Sequence, residues 1–234
     1  MDWAFVLCGF VVGGLVGFTG MGGGSLMTAM LILFFGVHPV TAVGTDLLFA
    51  AVTKSVGARV HSGKGNVAWR VVGLLALGSV PGTIITLLVL SKMPLHDPML
   101  ARGIKLVIGC ALLISSLSML FGRNLISTSD ASSGDVRPSA VRAVLTIALG
   151  LLLGVLVSLT SVGAGAIGLV VLRHLYPNIP PVRLVGSDIA HAVPLTLLAG
   201  SGHWLLGDVN WLMLVALLAG SIPGIMIADR KSVV

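Results

Sequence analysis

Apolar residues in this chain come in long uninterrupted blocks, and the polar residues gather between them. A membrane-crossing helix takes about 20 apolar residues, and the blocks are read on that scale. Trp3 to Thr19 is the first. The run Gly20-Met21-Gly22-Gly23-Gly24 interrupts it, and Ser25 to Phe35 follows as a block about half the usual crossing length. After a turn at Gly36-Val37-His38-Pro39 come a third block from Val40 to Arg59, a polar loop from His61 to Asn66, a fourth block from Trp69 to Leu90 and a fifth from Leu100 to Phe121. Arg123 to Arg142 is polar and rich in Ser and Asp. The order then starts again: Ala143 to Leu159, a break at Ser161-Val162-Gly163-Ala164-Gly165, a short block from Ile167 to Tyr176, then Pro181 to Gly202 and Trp211 to Ala228.

The second series copies the first. Gly44-Thr45-Asp46 returns 142 residues later as Gly186-Ser187-Asp188, and the same offset relates Pro39 to Pro181, His61 to His203, Trp69 to Trp211 and Gly78-Ser79-Val80-Pro81-Gly82 to Gly220-Ser221-Ile222-Pro223-Gly224. From Gly17 to Gly82 the match needs no gap. A fixed-offset repeat of this length marks an internally duplicated fold. The expected architecture is therefore an all-α polytopic membrane protein. It has two repeats of about five helical segments, with short or broken helices near the midplane. Residues 1–122 form the first repeat, 123–142 a cytoplasmic linker and 143–234 a second repeat whose last segment is missing. An odd number of segments per repeat turns the two halves upside down relative to each other. Charge agrees with that parity. Arg59, Lys64, Arg70, Arg123, Arg137, Arg142, Arg173, Arg183, Arg230 and Lys231 fall on one side, and only Lys92, Arg102 and Lys105 on the other. The positive-inside rule makes the first side cytoplasmic and puts the N-terminus outside.

Composition fixes the solvent. Charged residues are 9% of the chain and mean hydropathy is +1.08, against roughly 25% charged residues in soluble domains, so lipid covers much of the surface. The net charge of +6 sits between apolar blocks and not in a patch interleaved with aromatics, which excludes a nucleic-acid partner. Cys8 and Cys110 stand in apolar blocks without metal spacing. No metal or cofactor is expected, and the N-terminus reads as a retained first helix.

Candidate chemistry lies at the breaks and the repeated acidic motif. A helix N-terminus attracts anions through its unpaired amides, and transporters of repeated topology place broken helices at the substrate site. Thr19, Gly22, Gly23, Gly24, Ser25, Thr45, Lys54, Ser161, Gly163, Gly165 and Ser187 are the expected substrate-binding positions. Asp46, about 9 Å into its helix, and Asp188 are carboxylates in apolar surroundings, where ions are costly and usually functional. They relay protons, hold a cation, or cap the neighbouring short helices. Lys54, too far along the helix to pair directly with Asp46, either snorkels to the interface or lends a cavity positive charge. Thr196 replaces it in the second half. His191, three residues after Asp188, shares its helix face and can pair with it. His61 and His203 read as interfacial residues that begin loops, and Trp69 and Trp211 as interface anchors.

Gly-Met-Gly-Gly-Gly-Ser25, Gly-Val-His-Pro39, Ala-Val-Gly-Thr-Asp46, Thr-Lys54, Gly65-Asn66-Val67-Ala68-Trp69-Arg70 and Gly-Ser-Val-Pro-Gly82 together resemble the TauE/SafE family of sulfite exporter-like permeases. The likeness covers nearly the whole chain and is looser in the second half, where Ala164 and Ala166 stand for Gly22 and Gly24. It implies an inner-membrane permease for a small sulfur-containing anion or organosulfonate, in some members an exporter. Protons enter as a candidate partner through the buried aspartates alone, and the lipid bilayer through composition. By that resemblance Asp46, Lys54 and the glycine-rich break are the positions to carry over. An intramembrane enzyme and a non-transporting membrane subunit are the other readings. Enzyme chemistry is disfavoured because Asp188 with His191 is the one candidate pair.

Overall fold

Extended apolar blocks punctuated by glycine and proline fold here into helices alone, in a computed structural model that describes residues 3–19, 24–63, 66–95, 97–122, 139–163, 165 and 167–232. In chain order they are α1 (Trp3–Thr19), α2 (Gly24–Leu33), α3 (Pro39–Gly63), α4 (Trp69–Leu90), α5 (Pro98–Gly122), α6 (Ala140–Thr160), α7 (Ile167–Leu175), α8 (Pro181–Leu205) and α9 (Trp211–Ser232). Among the described residues, α4, α5, α6 and α8 are long and apolar enough to cross a membrane. Outward-facing Leu77, Leu88, Leu106, Leu113, Val144 and Leu212 are exposed, as a lipid-bathed surface requires.

The expected segments and the helices coincide closely, with one consistent difference. The third block and its copy run on past the predicted ends, to Gly63 and Leu205. His61 and His203 therefore close helices instead of opening loops. His203 is buried and its Nε2 lies 2.9 Å from the Ser158 carbonyl of α6; it is a packing residue and not an interfacial one. The chemistry explains the misreading for the second copy: a polar Gly-His stretch looks like a loop until a partner carbonyl satisfies the His203 ring.

Helices of one series pack on helices of the other. The most extensive pairings are α1 with α9, α4 with α6, and α3 with α8. The first two are glycine seams. A Cβ on Gly78 would stand 1.9 Å from the Ile147 carbonyl oxygen, and one on Gly150 2.2 Å from that of Leu75. The α1–α9 seam repeats the arrangement, with Gly220 against Val6 and Gly9 against Leu217. Small residues four apart let backbones approach this closely in lipid, where tight packing replaces the hydrophobic effect. The seam also corrects the register of the duplication. In α4 and α9 the offset is 142, whereas in α1 and α6 it is 141, since Gly9 and Gly13 answer to Gly150 and Gly154.

Two apolar cores follow from this exchange. One joins α1, α2, α3 and α9 around Val12, Met27, Leu31, Phe49 and Leu217. Its copy joins α4, α6, α7 and α8 around Leu75, Leu153, Leu172, Tyr176 and Leu184. A third core, with Ile104 and Ile108 of α5, Leu47 of α3 and Leu195 of α8, fills the space between them. The acidic helices α3 and α8 meet at its centre. Gly44 packs on His203 and Gly200 on Leu48, so the two helices run in opposite senses where they touch.

Candidate functional site

The Gly-Thr/Ser-Asp motif does two jobs on successive residues. The hydroxyl of Thr45 accepts the backbone N–H of Asn210 at 3.1 Å, and the hydroxyl of Ser187 accepts that of Ala68 at 2.8 Å. Asn210 and Ala68 stand immediately before α9 and α4, where helix-start amides lack intrahelical partners. Each motif thus caps the fourth helix of the other series. Ser187 also donates to the Arg183 carbonyl. The structure places these two expected substrate donors on backbone, because a hydroxyl buried in lipid-solvated protein takes the nearest orphan amide. Replacing Thr45 by Val or Ser187 by Ala is expected to cost about 1 kcal/mol of stability each. Thermal unfolding of the purified variants, with transport measured in parallel, would show a lowered midpoint and little change in substrate affinity.

The aspartates point to the short helices. Asp46 is fully buried, and its Oδ2 accepts both the backbone N–H of Thr28 at 3.2 Å and the Thr28 hydroxyl. Its second oxygen has no hydrogen-bond partner. Asp188 is 3% exposed and packs on the first turn of α7, its Oδ1 lying 2.7 Å from where a Cβ on Gly168 would be. That oxygen is also without a partner. Gly168 leaves room for the carboxylate that an alanine would take away.

The break before α7 keeps the irregular backbone expected of it. Ser161 adopts a left-handed conformation at φ 57°, and Gly163 and Gly165 have φ of 123° and 119°. Thr160 stabilises the bend, its Oγ1 donating to the Leu156 carbonyl at 2.6 Å and accepting the Val162 N–H at 3.1 Å. The Ser161 hydroxyl is buried beside the Asp46 carboxyl yet makes no hydrogen bond of good geometry. It thus links the break of the second series to the acid of the first. In the first series Gly22 and Gly23 lie outside the described residues, as do the side chains of Thr19 and Ser25; Gly24 opens α2.

Lys54 is 5% exposed, so it does not snorkel out of the described protein. Its ammonium lies within Coulombic reach of both Asp46 and Asp188 and also of His191. Eight residues of helix separate Lys54 from Asp46, as the sequence implies. The antiparallel crossing is what brings the group from α3 to the acid and imidazole of α8. His191 turns away from Asp188. Its Nε2 lies 2.8 Å from the Ser79 hydroxyl of α4, and its Nδ1 has no partner. This serine–histidine contact is missed in the sequence, where the two residues are 112 apart. The repeated Gly-Ser-Val-Pro-Gly motif, read above only as a mark of duplication and family, carries the serine. Among the described residues no third group hydrogen-bonds the imidazole Nδ1, the position that orients the histidine of a nucleophilic triad.

The two asymmetric members of this site face each other. Lys54 has Thr196 as its copy, bonded to the Ala192 carbonyl at 2.8 Å, and His191 has the buried Phe49 as its copy. The centre is therefore a duplicated frame holding one cation from the first series and one imidazole from the second. Among the described residues no group of three or more His, Cys, Asp or Glu side chains could hold a metal ion.

A buried cation between two repeated acids, at the crossing of antiparallel helices and next to broken ones, is the kind of site transporters build. The family model described as "Sulfite exporter TauE/SafE" matches residues 5–233. This chain belongs to the TauE/SafE family. It is 33% identical over 232 residues to the "Probable membrane transporter protein YjnA" of Bacillus subtilis (strain 168), a match that covers 99% of this chain and 91% of that protein. It is also similar to two further proteins of that organism. YunE is 31% identical, with 92% of this chain and 83% of the relative covered. YdhB is 29% identical, with 96% and 88% covered. Both are described as probable membrane transporter proteins. No solved structure matches. The chain is accordingly a multi-pass membrane transporter of the TauE/SafE family, with a small molecule as its substrate.

Proposed function

We propose that the chain is a permease of the cell inner membrane for a small anion, sulfite or an organosulfonate such as sulfoacetate, working by alternating access with proton coupling. The observation that carries this reading is Lys54, a cation buried at the crossing of α3 and α8 within reach of both repeated aspartates. Buried charges persist only when compensated, and the local count decides what the compensation is. Lys54 against ionised Asp46 and Asp188 leaves one negative charge, which repels an anion. Protonating one acid makes the site neutral, and protonating both makes it positive. Anion entry is then linked to proton uptake. The glycine-rich breaks, with Gly22, Gly23 and Gly24 in one half and Ser161, Gly163 and Gly165 in the other, offer backbone amides to the anion. Thr19 and Ser25 add hydroxyls, while Thr45 and Ser187 hold the frame. The antiparallel contact of α3 with α8 supports inverted halves, and the excess of Lys and Arg on one set of loops supports an N-terminus outside.

The test is flux of radiolabelled sulfite into proteoliposomes with and without an imposed pH gradient. Wild-type flux should follow the gradient. Asp188→Asn, which fixes that group in a neutral form, should keep measurable flux and lose most of its response to the gradient. Equal gradient dependence in wild type and variant would remove Asp188 from proton coupling.

A further inference from the structure

Ser79 of α4 departs from what the other helix hydroxyls of the chain do. A hydroxyl inside a helix commonly donates to the carbonyl one turn back, and Thr53, Thr86, Ser158, Ser187 and Thr196 all do so. The Ser79 hydroxyl is buried and has one partner among the described residues, His191 Nε2 at 2.8 Å. The Leu75 carbonyl, one turn back, is pressed against Gly150 in the α4–α6 seam.

That contact fixes the tautomer of the ring. A hydroxyl proton buried without an acceptor is costly. If Ser79 donates to Nε2, the group left unmatched is the N–H on Nδ1. If Nε2 donates instead, the serine proton and Nδ1 are both left unmatched. The first arrangement wastes less, so the ring carries its hydrogen on Nδ1. His191 is fully buried, and its Nδ1 has no partner among the described residues. Asp188, one turn earlier, does not take that hydrogen: its Oδ1 lies against Gly168 of α7 and is itself unpaired. An open N–H donor therefore stands in the centre, within Coulombic reach of the Lys54 ammonium. Two such positive poles repel a cation and favour an acceptor.

The duplication supplies an internal comparison. Ser221 of α9 is the copy of Ser79, and Phe49 is the copy of His191. There the ring has no nitrogen, and the Ser221 hydroxyl is buried without a partner among the described residues. The serine belongs to the repeated frame, whereas the open donor belongs to one half alone.

We propose that His191 donates its Nδ1 hydrogen to an oxygen of the bound anion, and that Ser79 is a positioning residue that holds the ring in that tautomer. This role rests on the anion-permease reading and adds to it a substrate contact from α8. Lys54 of α3 and His191 of α8 then hold one anion between the two repeats.

The experiment is concentration-dependent uptake of radiolabelled sulfite into proteoliposomes by the full chain and its variants. His191→Gln sets an amide at the place of Nε2 and leaves no donor at Nδ1. Its KM should rise about tenfold, the loss of a hydrogen bond to a charged group, with the maximal rate little changed. His191→Asn sets its amide at the place of Nδ1 and should keep KM near the wild-type value. Ser79→Ala should raise KM by a smaller factor, because the ring is then free to change tautomer. Ser221→Ala should leave KM unchanged. Wild-type KM in both His191→Gln and Ser79→Ala overturns the proposal while leaving the permease reading in place. So does a higher KM in His191→Asn than in His191→Gln, which would put the working nitrogen at Nε2. So does a lowered maximal rate with KM unmoved, which would reduce the pair to packing. A wild type that carries neither sulfite nor an organosulfonate removes the permease reading, and this role with it. Ser79→Ala deletes a single oxygen, so the test stands even where His191→Gln fails to fold.

Discussion

Lys54→Met should lower the initial rate of sulfite uptake into proteoliposomes by about two orders of magnitude, with the protein still folded in the membrane. The size follows from what is removed. A desolvated charged contact contributes about 3 kcal/mol, which corresponds to a factor of about a hundred. Met keeps the length and apolar stem of lysine, so the cores around Leu47 and Leu195 lose little packing. The centre would then hold two aspartates without the one cation that acts on both among the described residues, and an arriving anion would meet negative or neutral groups there. Lys54→Arg supplies the control: the charge remains, though in a wider planar head, and a substantial part of the rate should survive. Uptake by Lys54→Met at the wild-type rate would take the lysine out of the substrate path.

Gly150→Ala or Gly78→Ala should unfold the α4–α6 seam, at a cost of about 3 kcal/mol or more. Neither glycine can accept a methyl group in place. The added carbon would lie 2.2 Å from the Leu75 oxygen or 1.9 Å from the Ile147 oxygen. Those oxygens belong to backbone, which yields only if the two helices move apart along their length. In lipid that separation gives up the dispersion contacts and weak Cα–H hydrogen bonds that hold helices together. Gly103→Ala on α5 is the matched control, for nothing lies within 4 Å of its Cβ position, and it should leave stability unchanged or raise it by about 0.5–1 kcal/mol. Thermal unfolding in detergent followed by tryptophan fluorescence distinguishes the two classes. Equal midpoints for Gly150→Ala and Gly103→Ala would show that the seam is looser than described.

Helix positions were legible in the sequence because hydrophobic block length is a direct signal in a lipid solvent. Trp69 to Leu90 and Trp3 to Thr19 agree with the helices at both ends. Partnerships were less legible. The repeat of Gly-Ser-Val-Pro-Gly pointed to duplication, yet nothing local says that α4 packs on α6 of the other series instead of on its own neighbour. The exchange depends on seams formed only when both helices exist. The site was legible in part. Asp46, Asp188 and Lys54 were singled out because charges are rare in apolar blocks. The roles of Thr45 and Ser187 were read toward substrate because a sequence does not display the orphan amides of Asn210 and Ala68. The contact between His191 and Ser79 escaped for the same reason: the nearest acid in sequence, Asp188, was the obvious partner, and the third dimension offered a closer one.

The exchange of fourth helices separates ancestry from mechanics. The sequence repeat puts its boundary after α5, whereas the packed bodies are α1, α2, α3 and α9 on one side and α4, α6, α7 and α8 on the other. The chain crosses between these bodies after α3 and again after α8, at the short connectors where Thr45 and Ser187 grip Asn210 and Ala68. Under the alternating-access proposal, rocking of one body on the other would bend the chain at those two connectors, and splitting the chain after α5 would leave both bodies divided between the fragments.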